Sequence, residues 1–129
     1  MKKKYKLLII DDDKNILAVL SEFLRKKKYT VITASNGLEA MKLFESEDKD
    51  FDLIITDLVM PYITGVGVIS IVKQKRPEIP IIAITGWGEH PEALATESQA
   101  DLVLKKPFEL SELDNLISKL LSKNNNNDT

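Results

Sequence analysis

The chain has 129 residues, 43% of them hydrophobic and 29% charged, which is typical of a single water-soluble globular domain. A net charge of -2 excludes the overall basic surface expected of a protein that binds nucleic acid directly. With no cysteine, disulfides, thiolate zinc sites and cysteine nucleophiles are excluded, so oxygen ligands and oxygen nucleophiles remain.

The amino-terminal segment is basic and then apolar, but only residues 7–10 form its apolar stretch before three aspartates follow. A signal peptide needs an apolar core of about 7–15 residues, and a membrane-spanning helix needs about 20. The sequence therefore predicts a cytoplasmic protein without a membrane segment.

Short apolar runs alternate with longer helical patterns along the chain, as in parallel strands joined by crossover helices. The runs are continuous in Val, Ile and Leu, which is typical of strands covered on both faces. We predict five strands and five helices in a doubly wound α/β sandwich of three layers, with right-handed crossovers. The predicted strands cover residues 6–10, 30–34, 53–56, 81–84 and 102–104.

Local capping signals mark where the helices begin. Asp13 precedes the first helical pattern, and Asn36 with Glu39 has the spacing of a capping pair before the second. Ser111 and Asp114 have the spacing of a capping box at the start of the last helix. The polar residues 124–129, rich in asparagine, are predicted to form a disordered tail after a folded domain of residues 1–123.

The segment after Gly65, VGVISIVKQKRP, is ambiguous because β-branched residues dominate it and Gly67 weakens a helix by about 1 kcal/mol. Its composition alone would permit a strand. We predict a helix, because a parallel crossover needs a covering element there and because Val68, Ile69 and Val72 can share one face.

Polar side chains follow the predicted strands at their carboxyl ends, where ligands bind in doubly wound sheets. Asp11 and Asp12 close the first strand, Asp57 follows the third, Thr85 the fourth and Lys106 the fifth. We expect all five side chains to converge on one edge of the sheet.

Three converging carboxylates require a compensating cation, because each pair about 5 Å apart at an effective dielectric of ~20 costs about 3 kcal/mol. Oxygen ligands without histidine or thiolate favour Mg²⁺. A carboxylate beside such a metal can act as a nucleophile toward phosphorus and form an aspartyl phosphate, which assigns this role to Asp57. The Lys106 ammonium and the Thr85 hydroxyl would then contact the transferred oxygens.

These residues carry a resemblance to a known family. The stretch from Lys6 to Leu121 resembles the receiver domain of two-component response regulators through four motifs in order at successive strand ends. The motifs are LLIIDDD, DLIITDLVMP, IIAITG and KKPF. The resemblance implies a flavodoxin-like fold with strand order 2-1-3-4-5.

The resemblance also implies a magnesium-dependent switch that accepts a phosphoryl group on Asp57 from a histidine kinase or a histidine phosphotransfer protein. By analogy with the family, Asp12, Asp57 and the Val59 carbonyl would ligate Mg²⁺, and Asp11 would act through water. The signal would be read by a downstream protein on the face made by the fourth helix, the fifth strand and the fifth helix. It implies a signalling protein rather than an enzyme.

One position departs from the family pattern: Val103 stands three residues before Lys106, where relatives usually carry Tyr or Phe. Valine cannot report the signalling state by ring rotation. The sequence therefore leaves open how the switch couples to its surface, and Trp87 is an alternative reporter.

Two other functions stay open at this point. IIDDD also fits the Asp-x-Asp signature of haloacid-dehalogenase-like phosphatases, with Asp11 as nucleophile and Asp13 as acid, although a further acidic pair after the lysine is lacking. A receiver that binds partners without phosphorylation is the second alternative. The position labelled by a small phosphodonor would discriminate among the three.

Overall fold

The computed structural model describes residues 4–46, 50–58, 65–86 and 99–127. Five parallel strands form one sheet in the order β2-β1-β3-β4-β5, which confirms the predicted fold class. The first two strands have the predicted bounds, and each of the other three continues one residue further. The strands are β1 (Lys6–Ile10), β2 (Thr30–Ala34), β3 (Leu53–Asp57), β4 (Ile81–Thr85) and β5 (Leu102–Lys105).

Four helices lie within the described residues: α1 (Lys14–Lys26), α2 (Gly37–Glu45), α3 (Gly65–Lys75) and the C-terminal helix (Leu110–Asn127). The predicted fourth helix falls in residues 87–98, outside the part of the chain that the structure describes. No described helix has the length and apolar content needed to cross a bilayer.

The core has two halves, one on each face of the sheet, as a three-layer sandwich requires. On one face α1 and the C-terminal helix bury a cluster that includes Leu20, Leu24 and Ile117. On the other face α2 and α3 pack over Leu8, Ile54 and other strand residues. Every residue of β3 and β4 is buried, which explains their uninterrupted apolar runs.

The ambiguous segment after Gly65 is helix α3, as predicted. Val68, Ile69 and Val72 are fully buried in the core half shared with α2. Burial of this face outweighs the low helix propensity of the β-branched residues.

Two of the three predicted caps form. The Asp13 carboxylate accepts hydrogen bonds from the Asn15 and Ile16 amides, and the Asn36 side chain accepts one from Glu39 N at 2.8 Å. The prediction of a capping box at Ser111 is wrong, because the C-terminal helix already begins at Leu110 and Ser111 lies inside its first turn.

The predicted disordered tail also requires a correction. The C-terminal helix continues through Asn127, so four residues of the predicted tail are helical, and residues 128–129 lie outside the described chain. Asparagine costs at most about 0.7 kcal/mol relative to alanine in a helix, which a helix anchored by core residues such as Leu113 and Ile117 can absorb.

Candidate functional site

The carboxyl end of β1 places two acids side by side with different exposure. Asp11 directly follows β1 and is 1% exposed, whereas Asp12 is exposed to solvent. The Asp11 amide donates to Ala34 O, and Asp11 Oδ1 accepts a 2.9 Å hydrogen bond from the Asp13 amide. The turn that starts α1 therefore fixes the orientation of the Asp11 carboxylate.

Asp57 brings the third carboxylate to the same edge. It is the last residue of β3 and is buried, and β3 pairs with β1. One carboxylate oxygen from each of Asp11, Asp12 and Asp57 lies within 4.8 Å of the others. Residues 46 positions apart therefore form one acidic cluster, as the convergence rule predicted.

Lys106 supplies the positive charge of this cluster. Its Nζ lies 3.4 Å from Asp57 Oδ2 and 3.6 Å from Asp11 Oδ2, and its amide donates to Thr85 O. Burial lowers the pKa of the Lys106 ammonium, but the carboxylates of Asp11 and Asp57 outweigh it and leave that pKa raised above its ordinary value. Lys106 is therefore a permanent cation in contact with two acids.

One ammonium does not balance three carboxylates. Burial, opposed by the hydrogen bond from the Asp13 amide, raises the pKa of Asp11 to about 6, and the negative charge of Asp57 adds to the rise. A carboxyl group with so high a pKa is destabilised as an anion. The excess of negative charge at the site therefore favours the binding of a further cation.

Two buried oxygens point to the same conclusion. Asp11 Oδ2 and the Thr85 hydroxyl are buried and have no hydrogen-bond partner among the described residues. Buried polar atoms are nearly always satisfied in folded proteins, so each of these two oxygens indicates that a further group can bind beside it. A divalent ion at Asp11 and a phosphoryl oxygen at Thr85 fit the chemistry of the two atoms.

Two residues named from the sequence, Val59 and Trp87, lie outside the described residues. Val103 lies on β5, half-buried, and packs against the core half that holds α2 and α3.

Sequence reasoning missed an apolar groove beside the acidic cluster. It has a volume of about 450 Å³ and runs between the amino-terminal half of α1 and the segment after β5. Val19, which is 54% exposed, is a prominent apolar side chain on its α1 wall. A signal was present in the sequence, because Val19 lies off the buried stripe of α1 and yet is apolar. The groove is lined by Asn15, Ile16, Val19, Leu20, Lys106, Pro107, Phe108 and Leu110.

Comparison with known proteins gives one consistent family. The sequence pattern described as "Response regulator receiver domain" matches residues 7–118. The response regulator SaeR of Staphylococcus epidermidis is 34% identical over 126 residues, which are 94% of this chain and 54% of that protein. The alkaline phosphatase synthesis transcriptional regulatory protein PhoP of Bacillus subtilis is 34% identical over 117 residues, covering 90% of this chain and 48% of that protein.

The chain thus spans about half the length of these curated relatives. Among solved structures, the response regulator TrrA of Thermotoga maritima in complex with Mg²⁺ and BeF superimposes with a TM-score of 0.81 at 34% identity. The superposition covers 91% of this chain and 99% of TrrA.

Proposed function

Because this chain belongs to the response regulator receiver domain family, we propose that it is the phosphoacceptor switch of a two-component system, with Asp57 as the residue phosphorylated. In this role the chain would be a signalling domain that assists its own phosphorylation and dephosphorylation rather than an enzyme. The receiver domain would comprise the predicted residues 1–123 together with the end of the C-terminal helix, through Asn127.

The observation that carries this proposal is the geometry around Asp57. Its carboxylate lies within 4.8 Å of two other carboxylates, and its Oδ2 lies 3.4 Å from the Lys106 ammonium. Phosphoryl transfer needs chiefly an oriented nucleophile and positive charges on the transferred oxygens. Asp57 and Lys106 supply the nucleophile and one of those charges.

The second charge would come from Mg²⁺ held by Asp12, Asp57 and the Val59 carbonyl, with Asp11 acting through water. The buried Oδ2 of Asp11, which accepts no hydrogen bond from the described residues, and the all-oxygen donor set support Mg²⁺ over zinc or copper. The Mg²⁺ and BeF bound by TrrA lend support from a relative 34% identical to this chain. When bound, the ion neutralises the carboxylates and polarises the phosphoryl group.

Three residues of this chain would then take part directly in the transfer. An Asp57 oxygen attacks the phosphorus of a phosphohistidine, the P–N bond breaks, and the imidazole leaves with its electron pair. Lys106 stays protonated and turns from the carboxylate to a phosphoryl oxygen, and the buried Thr85 hydroxyl donates to another. The phosphoryl group, with a charge of about -1.5 to -2 in place of the single negative charge of the Asp57 carboxylate, would draw both side chains inward and shift the population toward the active state.

The partner that donates the phosphoryl group is proposed to be a histidine kinase or a histidine phosphotransfer protein. The apolar groove between α1 and the segment after β5 lies beside Lys106 and offers that donor an apolar docking surface next to Asp57. A downstream protein would read the switch on the face that includes β5 and the C-terminal helix. We place the domain in the cytoplasm and assign it no direct contact with nucleic acid, although PhoP is described as a transcriptional regulator.

The test is the position of the phosphoryl group after incubation with acetyl phosphate and Mg²⁺, read by peptide mass mapping. We expect one phosphoryl group on Asp57, and none on the Asp57→Asn variant. Asp50→Asn is the matched control, because Asp50 is an exposed acid that pairs with Arg76 away from the cluster. Label on Asp11 would support the phosphatase, and an unlabelled but folded protein would support a receiver that works without phosphorylation.

A further inference from the structure

Strand β2 is the outermost strand on one side of the sheet, and no strand among the described residues pairs with its outer edge. The Thr30 amide donates to Tyr5 O, and Ala34 O accepts from the Asp11 amide, so the even-numbered residues of β2 face β1. The backbone groups of a strand alternate in direction. Those of Val31, Thr33 and Ser35 therefore face the open edge.

Two charged side chains cover the ends of this edge. Arg25 Nη2, in the last turn of α1, donates to Val31 O at 2.9 Å. The Ser35 amide donates to Glu39 Oε1, in the first turn of α2, at 3.1 Å. Between these two caps lies Thr33, whose amide and carbonyl face the same edge.

The two capped groups are complementary to each other in a symmetric pair of strands. Antiparallel pairing of two copies of β2 about a two-fold axis at Thr33 places Val31 of one copy opposite Ser35 of the other. Residues in such a hydrogen-bonded pair exchange both of their N–H···O bonds. Val31 O would then accept from the Ser35 amide of the second copy, and these are the two groups that Arg25 and Glu39 occupy.

Space for a second strand lies beside this edge. A groove of about 780 Å³ runs along the outer side of α1 above β2. Thr33 and Ser35 are among the residues that line it, as are Arg25 and Glu39. The side chains of Arg25 and Glu39 thus lie in the groove that an added strand would enter.

We propose that the outer edge of β2 is a self-complementary pairing surface for a second copy of this chain. In the monomer, the side chains of Arg25 and Glu39 block this edge by binding its backbone groups. Unpaired strand edges are templates for association, and folded proteins commonly block them with charged side chains. A two-fold axis uses the same patch on both copies, so the contact closes at a dimer and does not propagate.

The test removes both caps with Arg25→Ala and Glu39→Ala together and measures mass by sedimentation equilibrium. We expect the double variant to form a dimer whose dissociation constant is at least about tenfold lower than that of the wild-type chain, on the scale of one lost charged hydrogen bond. The matched control is Lys75→Ala with Glu45→Ala, which also removes one charge of each sign from an exposed ion pair but lies outside the groove. This control is expected to behave like wild type.

Two additions to the double variant locate the contact. Thr33→Pro removes the central edge amide, which an edge strand tolerates, and should abolish the dimer. Thr33→Cys should give a single symmetric disulfide on mild oxidation, because paired Cα atoms about 5.5 Å apart are within disulfide range and the chain has no other cysteine. A double variant that stays monomeric, or a dimer that survives Thr33→Pro, would overturn the proposal.

Circular dichroism and thermal melting check that the variants are folded. If the alanine pair does not fold, Arg25→Met with Glu39→Met keeps the aliphatic stems of both side chains while removing both caps. The same mass measurement and the same criterion then apply to the methionine pair.

Discussion

Asp11 is buried at the end of β1, with one oxygen bonded to the Asp13 amide and the other 3.6 Å from the Lys106 ammonium. Its pKa of about 6 in the folded protein lies above the ordinary value of 3.8. The folded state therefore binds this proton more tightly than the unfolded state. This proton therefore contributes to the free energy of unfolding in full below pH 4, and its contribution is lost as the pH rises through 6.

The first prediction is that Asp11→Asn stabilises the metal-free protein at neutral pH. Asparagine keeps an oxygen for the Asp13 amide and removes the buried charge. We expect the free energy of unfolding to rise by about 1–3 kcal/mol at pH 7.5 and by little at pH 4. Urea denaturation in the presence of EDTA at both pH values measures the difference. Equal effects at the two pH values would contradict it.

The second prediction concerns the metal. Because protonation of Asp11 removes a negative charge beside the metal, binding of Mg²⁺ and of this proton oppose each other, and the affinity for Mg²⁺ should fall by up to about tenfold for each pH unit below 6. Titration calorimetry at pH 8, 7 and 5 measures this affinity. Asp50→Asn should show the same profile as wild type, and a profile without pH dependence between 7 and 5 would argue against Asp11 at the metal.

At the scale of secondary-structure elements, helix α2 begins where its sequence predicts because its cap is local. The Asn36 side chain accepts from the Glu39 amide three residues later, and the Glu39 carboxylate accepts from the Ser35 amide. The C-terminal helix begins at Leu110, before the predicted capping residue Ser111, because Leu110 also belongs to its first turn. There the Glu109 carbonyl accepts from the Leu113 amide, and Leu113 is fully buried in the core.

The third prediction is that Asn36→Ala costs about 1 kcal/mol of stability, because the Glu39 amide loses its acceptor at the start of α2. Thermal or urea denaturation measures this loss. Asn115→Ala is the matched control, since Asn115 is exposed within the C-terminal helix and alanine is the better helix former there. We expect no loss of stability in the control.

Across the molecule as a whole, the apolar groove lies between α1 and the segment after β5, next to the acidic cluster. A protein donor needs a surface on which to dock, whereas a small phosphodonor needs only access to Asp57. Substitutions in the groove should therefore separate the two routes of phosphorylation.

The fourth prediction is that Val19→Asp slows phosphotransfer from a cognate histidine donor by about tenfold, equivalent to about 1.4 kcal/mol of docking energy. The rate of labelling by acetyl phosphate should not change. Leu38→Asp is the matched control, because Leu38 lies on α2, outside the groove, and is 53% exposed compared with 54% for Val19. Equal losses in the two variants, or a parallel loss with acetyl phosphate, would exclude docking in the groove.

Much of this architecture follows from the sequence by local rules. Strands covered on both faces need continuous apolar runs, so β1 and β2 were predicted with their observed bounds, and the other strands to within one residue. Polar residues at the carboxyl ends of parallel strands must meet, so the clustering of Asp11, Asp12 and Asp57 was predictable.

Other properties exist only after distant segments meet. Helix α3 is decided by burial of its apolar face, because its composition alone also permits a strand. The high pKa of Asp11 depends on its burial and on Asp57, and the open edge of β2 depends on the strand order. The sequence by itself determined which elements form and which side chains stand at their ends, since both depend on neighbouring residues. Tertiary structure decided charge balance, exposure and the shape of surfaces, because these are sums over contacts between residues far apart in the chain.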